Sequence, residues 1–359
     1  MRFSFKKIFC AILTAAIVFS FVGCGGVSAS PDIKPHLTLN TEKHAVPIDG
    51  FDAFTMPEID GDFRERVEVL YQTVVYDKKR PLFVDDDPVK QIYDVAKGWL
   101  EDYITDGMTG EEREYAVVHT IHDLLIVKTD YDFDLYNSSL GGSVDAATDP
   151  AFYIDGVFLN GKTVCDGLAR AFNFLCAMEG VECVRVTGSF SSATHAWNKV
   201  KIGDSYYNVD VTADAVHYSI GSKTYKQVAH GYMLLSDETI AGFAQKHDFT
   251  PTHLIAQSDF DYYDGGVIEI GGKTYSTVVK NQSQLNALFS AISDAKGEVG
   301  KIELKLDFDG KTQVNFADMY SSEIATAYDK VKNSDFALGN GIKPYFQFPN
   351  GVYLFLIYK

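Results

Sequence analysis

The sequence predicts an α+β protein built as two domains, and three observations carry that prediction. Amphipathic segments at helical spacing fill the first half; two strand-like runs joined by a two-residue, Gly-first loop follow; and a second alternation of strands and helices starts past residue 262. At 359 residues, with 46% apolar and 13% aromatic content, the chain can bury two cores. A formal net charge of -17 excludes the basic footprint that nucleic acid requires, and electrostatic adhesion to anionic lipid.

The N-terminus sets the compartment. Arg2, Lys6 and Lys7 precede an apolar run from Ile8 to Val22 that ends at Gly23-Cys24, the pattern of a signal peptide over residues 1–23. The run is about 15 residues long, short of the roughly 20 that span a bilayer. Phe21-Val22-Gly23-Cys24 resembles a bacterial lipobox, with Phe21 where leucine is usual. That resemblance implies lipidation at Cys24 and a place on the extracytoplasmic face of the membrane; the alternative is plain secretion. Small, polar, Pro-bearing sequence after Cys24 opens a tether over residues 24–59.

Val89, Ile92, Tyr93, Ala96, Trp99, Leu100 and Tyr103 are helically spaced within Asp87 to Tyr103. Thr109-x-x-Glu112 is a capping-box pattern that starts a second helix, expected to end near Lys128. From Asp130 to Gly161 the sequence reads as a long loop, the kind that walls a cleft. Two metal-like signals fail here. Thr129 to Asp134 (TDYDFD) has alternating aspartates, but Leu135 and Gly141 stand where a calcium loop needs glycine and glutamate, so it reads as a solvated turn. His119-x-x-His122 lacks a third ligand and reads as core histidine. Neither metal nor cofactor is expected.

The chemistry-bearing segment is Asn160 to Gly180. Thr163-x-x-Asp166 is a capping-box pattern that would put Thr163 at the N-cap and Cys165 in the first helical turn, beside unpaired backbone N–H groups. The helix dipole there favours thiolate, and the N–H groups can hold an oxyanion. Leu168, Phe172, Leu175 and Cys176 make an apolar stripe, so Cys176 is core. With Cys10 in the signal and Cys24 lipidated, Cys165, Cys176 and Cys183 remain; a Cys176 to Cys183 bridge is open to an exported protein, but free buried thiols are the expectation.

A thiolate needs a base, and a base needs an orienter. His195 to Ile202 and Ser205 to Thr212 read as a hairpin across Gly203-Asp204. That turn would pair Ile202 with Ser205, Trp197 with Asp210 and His195 with Thr212, putting all four of the last-named side chains on one face. His195 and Asp210 are then diagonal neighbours, within reach of an imidazole to carboxylate bond.

Together Cys165-Asp166-Gly167, His195-Ala196-Trp197-Asn198 and Val209-Asp210-Val211-Thr212 resemble the transglutaminase-like superfamily over roughly residues 60–255. The resemblance implies a papain-like core, a nucleophile helix packed on an antiparallel sheet. It also implies that Cys165 is the nucleophile, His195 the base and then acid, and Asp210 the orienter, with Trp197 and Thr212 facing the substrate cleft. The family's upstream tryptophan donor has no counterpart nearer than Trp99; Tyr131 and Tyr153 are the candidate oxyanion donors in its place. The implied activity is acyl transfer on peptide or side-chain amides, with a peptidase or amidase favoured. The alternatives are cross-linking of glutamine to amines and a catalytically idle binding scaffold. Peptides or proteins, cell-wall peptide among them, would be the partners.

Past residue 262, a hairpin across Gly271-Gly272 opens a module expected to read ββαβαββ over 262–359, a small α/β sandwich. Its helices are marked by Leu285, Leu288, Phe289 and Ile292 and by the stretch Phe316 to Val331. It holds no cysteine or tryptophan, so it reads as a binding or packing module.

Overall fold

A computed structural model of the chain describes residues 18–19, 37–57, 61–140, 144–220, 223–242, 247–250, 253–260, 262–294, 301–308, 320–330, 345–347 and 352–356. Cys24 lies outside these residues, as does all of the expected signal peptide except positions 18–19. Two compact units emerge: Lys34–Asp214 with Asp248–Ser258, and Met1–Ile33 with Ala215–His247 and Asp259–Lys359.

In the first unit the chain is already packed well inside the expected tether. Val46, Ile48 and Met56 are buried, and β1 (Ala53–Thr55) pairs in parallel with β2 (Arg80–Leu82). His44 pins this stretch to the core: its ring nitrogens meet Asp106 at 2.6 Å and the buried Glu179 at 3.1 Å. Between the two strands lies α1 (Phe63–Tyr71), capped by Asp62, which accepts from the Glu65 N–H at 2.9 Å.

Helix α2 (Lys90–Tyr103) starts three residues later than its periodicity suggests. The carboxylate of Asp87 is taken up by Arg66 at 2.5 Å and the Val89 N–H at 3.1 Å. In α3 (Gly110–Lys128), Thr109 stands at the N-cap without a side-chain capping bond; Glu111 and Glu112 supply the negative charge that its first turn favours.

The stretch from 130 to 161 is more structured than a loop. β3 (Asp130–Tyr131) leads into α4 (Phe133–Leu140). Asp132 accepts from the Leu135 N–H at 2.9 Å and pairs with Lys162 at 2.9 Å, so an aspartate of the TDYDFD run is a helix cap and not part of a solvated turn. β3 pairs in parallel with β4 (Lys162–Thr163), which delivers the chain to α5 (Cys165–Met178). Twelve of the fourteen α5 residues are buried, so this helix is the centre of the unit. It packs on β5 (Cys183–Phe190) and β6 (Ala193–Ile202), the first two of three successive antiparallel strands; the third is β7 (Ser205–Val209), followed by a single helical turn, α6 (Val211–Asp214).

The second unit begins with the antiparallel pair β8 (Ala215–Ile220) and β9 (Lys223–Val228), then β10 (Met233–Leu235) and α7 (Asp237–Gly242). A hairpin of β11 (Val267–Ile270) and β12 (Lys273–Ser276) follows, turning through Gly271 and Gly272, both at positive φ. Then come β13 (Val278–Val279), α8 (Gln282–Asp294), β14 (Lys301–Leu306), α9 (Ser321–Asp329), β15 (Tyr345–Gln347) and β16 (Val352–Leu356). The sheet order is β13-β14-β16-β15, with β13 parallel to β14. The two-residue β13 is one strand more than the ββαβαββ expectation. Phe316 lies outside the described residues. Leu285, Leu288, Phe289 and Ile292 of α8 pack with Leu304 and Leu306 of β14 and Ile324 of α9. Among the described residues, no helix is long and apolar enough to cross a membrane.

Candidate active site

The helix start that carries Cys165 is built by contacts from distant sequence. Val164 is the extended N-cap and makes no side-chain capping bond. Thr163, expected there as the cap, instead donates its hydroxyl to the Ala151 carbonyl at 2.9 Å, and the Val164 N–H donates to the same oxygen at 3.1 Å. Gly167 is required by this seam: a Cβ would collide with the Ala151 carbonyl and the Thr163 hydroxyl. Cys165 is thereby fixed as the first residue of a buried helix, with 9% of its surface exposed.

The hairpin turn sits where the sequence places it. Gly203 adopts φ +59°, its N–H donates to Glu114 at 2.7 Å, and the register runs from Ile202 opposite Ser205 to Asn198 opposite Val209. There the ladder stops. Trp197 does not pair with Asp210, nor His195 with Thr212, because β7 ends at Val209 and the chain curls into α6. Asp210 causes the curl: its Oδ1 accepts from the Ala213 N–H at 3.1 Å, and its carbonyl accepts from the Asp214 N–H at 3.2 Å. The other carboxylate oxygen, Oδ2, lies 2.7 Å from His195 Nε2. His195 and Asp210 therefore meet through a helix cap and not through a diagonal strand pair. Thr212 rides on the turn and has no place opposite His195.

Trp197, expected to face the cleft, is 1% exposed. Its indole N–H donates to Asn208 at 3.0 Å; its ring stacks on His195 at 5.9 Å and meets Phe249 edge-on at 5.4 Å. It backs the imidazole instead of lining an open wall. Phe190 packs against the same ring at 5.5 Å.

His195 also hydrogen-bonds the Cys165 side chain. Since Nε2 is held by Asp210, Nδ1 is the nitrogen left for the thiol. Burial lowers the proton affinity of the ring, but the Asp210 charge and hydrogen bond and the Cys165 interactions outweigh it, and the pKa of His195 is pushed up to about 10.

Of the two tyrosines, only Tyr131 reaches this group. The β3 to β4 ladder, with Asp130 N–H on the Gly161 carbonyl at 2.7 Å and Asp132 N–H on the Thr163 carbonyl at 2.8 Å, carries it to the helix start. Its phenol oxygen is within hydrogen-bonding reach of both the Cys165 thiol and the Cys165 backbone N–H. Burial, then the charges of Cys165 and Tyr136, push the phenol well above its usual pKa, so it remains an O–H donor. The Tyr153 hydroxyl donates to the Ala147 carbonyl at 3.1 Å, and its ring lies under the guanidinium groups of Arg64 and Arg170 at 3.9 and 4.8 Å. That is a packing role. Trp99 packs edge-on against Phe158.

Tyr136, which no sequence motif marks, is also near the nucleophile: burial, then the Cys165 charge, raise its pKa, and its ring centroid is 6.0 Å from that of Tyr131. Only recognition of α4 could have found it. Cys176 and Cys183 are buried free thiols; burial and a hydrogen bond to Cys183 push the Cys176 pKa well up. His122 has carboxylates at both ring nitrogens, so His119-x-x-His122 is not a chelating pair.

Residues 101–211 match the model of the transglutaminase-like superfamily, a span that contains Cys165, His195 and Asp210. This part of the chain is thus a transglutaminase-like domain, and its α+β core, with α5 on antiparallel strands, is the papain-like arrangement. Among solved structures, a TGase matches at 16% identity and TM-score 0.28, covering 39% of this chain and 34% of that one. A candidate cysteine protease from Cytophaga hutchinsonii matches at 18% identity and TM-score 0.24, covering 34% of this chain and 38% of that one. The chain therefore spans little more than a third of the length of either. No curated protein sequence matches it.

Proposed function

We propose that this transglutaminase-like domain is a thiol acyl-transfer enzyme that cleaves peptide or side-chain amides through Cys165, His195 and Asp210. One observation carries the reading: Asp210, His195 and Cys165 form a hydrogen-bonded series at the start of a buried helix. Sγ of Cys165, as thiolate, attacks the amide carbonyl carbon. The carbonyl oxygen, now negative, is held by the Cys165 N–H and the Tyr131 hydroxyl. The His195 imidazolium gives its proton to the departing nitrogen as the C–N bond breaks, leaving a thioester and a free amine. Neutral His195 then takes a proton from water, whose oxygen displaces Sγ and releases the acid. An amine in place of water makes the same site a cross-linking enzyme.

Mass analysis of acyl-enzyme and product, after offering glutamine- and amide-containing peptides with and without an added amine, tests the proposal. Acid product with or without amine is the expected result. Exclusive amine adducts would make it a transamidase, and binding without any thioester would make it a scaffold. Tyr131→Phe is expected to lower kcat by about 10- to 100-fold with KM within about twofold, at or below the lower end of the loss for a single oxyanion donor. Unchanged kcat would remove Tyr131 from the mechanism.

The domain is further proposed to work on the outer face of the membrane, tethered by lipid at Cys24. Support comes from the basic and apolar segment that ends at Phe21-Val22-Gly23-Cys24. Cys24→Ser should release the protein from the membrane fraction or block its maturation. Unchanged retention, with a mature N-terminus elsewhere, refutes the anchor.

A further inference from the structure

The catalytic series does not use one buried ionic cluster beside it. His122 on α3 is fully buried, and both its ring nitrogens face carboxylates: Nδ1 lies 2.9 Å from Asp123 Oδ1 and Nε2 3.2 Å from Asp214 Oδ2. Neutral imidazole has one N–H and could satisfy only one of them, so the arrangement holds the ring as imidazolium, donating to both. Burial opposes that charge, but the hydrogen bonds and charges of Asp123 and Asp214 outweigh it and raise the proton affinity.

The two carboxylates differ in where they belong. Asp123 is on the same helix as His122. Asp214 closes α6, the turn whose start is capped by Asp210. A continuous line of contacts results: His122 to Asp214 at 3.2 Å, Asp214 N–H to the Asp210 carbonyl at 3.2 Å, and Asp210 Oδ2 to His195 at 2.7 Å. A single helical turn is unfavourable alone, because the first hydrogen bond must fix several residues at once. Its four residues need an anchor from outside, and α3 supplies one.

We infer that His122 is a positioning residue whose ion pair with Asp214 pins the α6 turn and so holds the Asp210 carboxylate against His195. The inference rests on the reading of Cys165, His195 and Asp210 as the triad; His122 itself touches no reacting atom.

The test needs no substrate. The rate of alkylation by iodoacetamide is measured against pH on the full chain, the modified cysteine is mapped by peptide mass analysis, and Tm is recorded alongside. In wild type, labelling falls on Cys165, with a step where His195 titrates. Asp214→Ala should move that step down by about one pH unit, as the Asp210 charge drifts from the imidazole. Asp214→Asn, which can still accept from His122, should move it less and in the same direction. Asp123→Asn alters the same cluster without touching the turn and should leave the step in place. The inference is overturned if the Asp214→Ala profile superimposes on wild type, or if Asp123→Asn moves the step as far. Should Asp214→Ala fail to fold, Asp214→Asn decides: a downward step supports the inference and superposition on wild type overturns it. Labelling of wild type at Cys176 or Cys183 in place of Cys165 overturns the triad reading itself, a separate failure.

Discussion

Cys165→Ala is expected to leave no measurable turnover of any amide that the wild type cleaves, a loss on the order of 10⁶-fold, the scale seen when a hydrolase loses its nucleophile. The fold should survive. Position 165 opens a helix, alanine is the best helix former, and one sulfur leaves from a side chain at the rim of the core. Tm is therefore expected within a few degrees of wild type, which separates lost chemistry from lost structure. The measurement is single-turnover mass analysis: wild type accumulates a thioester adduct on the peptide containing Cys165, and the variant none. His195→Ala should come close behind, since it removes both the base and the acid for the leaving nitrogen. Retained turnover in Cys165→Ala would sink the mechanism outright.

Asp210→Asn is expected to cost less, about 10- to 10³-fold in kcat. The corresponding change in a serine triad costs about 10⁴-fold, and a thiol site loses less because sulfur is a strong nucleophile without full base assistance. Asparagine caps helices as well as aspartate does, so its side chain can still accept from the Ala213 N–H and the α6 turn should persist. What goes is the charge facing His195. Folding raises the proton affinity of this histidine, so its contribution to stability is complete below its ordinary value of 6.5 and is lost as pH rises through about 10. Removing the Asp210 charge lowers the upper edge of that window. The basic limb of the kcat profile should move down with it, while KM stays within about twofold. Thr212→Val should change kcat by less than about twofold, since Thr212 is on the turn and has no partner role at the imidazole. A variant with Asn at 210 whose basic limb matches wild type would show that Asp210 is not the orienter.

Local chemistry was the legible part of this site. Gly203 fixes a two-residue turn by itself, so the register of the hairpin is legible from Ile202 opposite Ser205 back to Asn198 opposite Val209 without knowing the rest of the chain. The start of α5 was likewise visible in Thr163-Val164-Cys165-Asp166. Contacts between remote residues were not. Thr163 looks like a cap in sequence, but the Ala151 carbonyl claims its hydroxyl, and that partner lies twelve positions away. Strand alternation gave the face of Trp197 but not its depth, because alternation does not distinguish an open face from one covered by Phe249. Val211 and Thr212 favour continuation of the strand past Val209, but Asp210 overrides them by capping a turn. Tyr136 stayed hidden because α4 is eight residues long, too short for its period to stand out from the polar sequence around it.

The burial of α5 divides the site into a part that cannot give and a part that can. Amides in a helix packed on nearly every side are expected to open only with the whole unit, so the thiol is carried on a helix with twelve of its fourteen residues buried. Under the proposed mechanism, a bulkier acyl group is accommodated by the other bank, where Tyr131 and Tyr136 stand on a two-residue strand and an eight-residue helix. On that proposal, a change of substrate specificity would be sought by remodelling residues 130–138, with the sulfur and its imidazole left where they are.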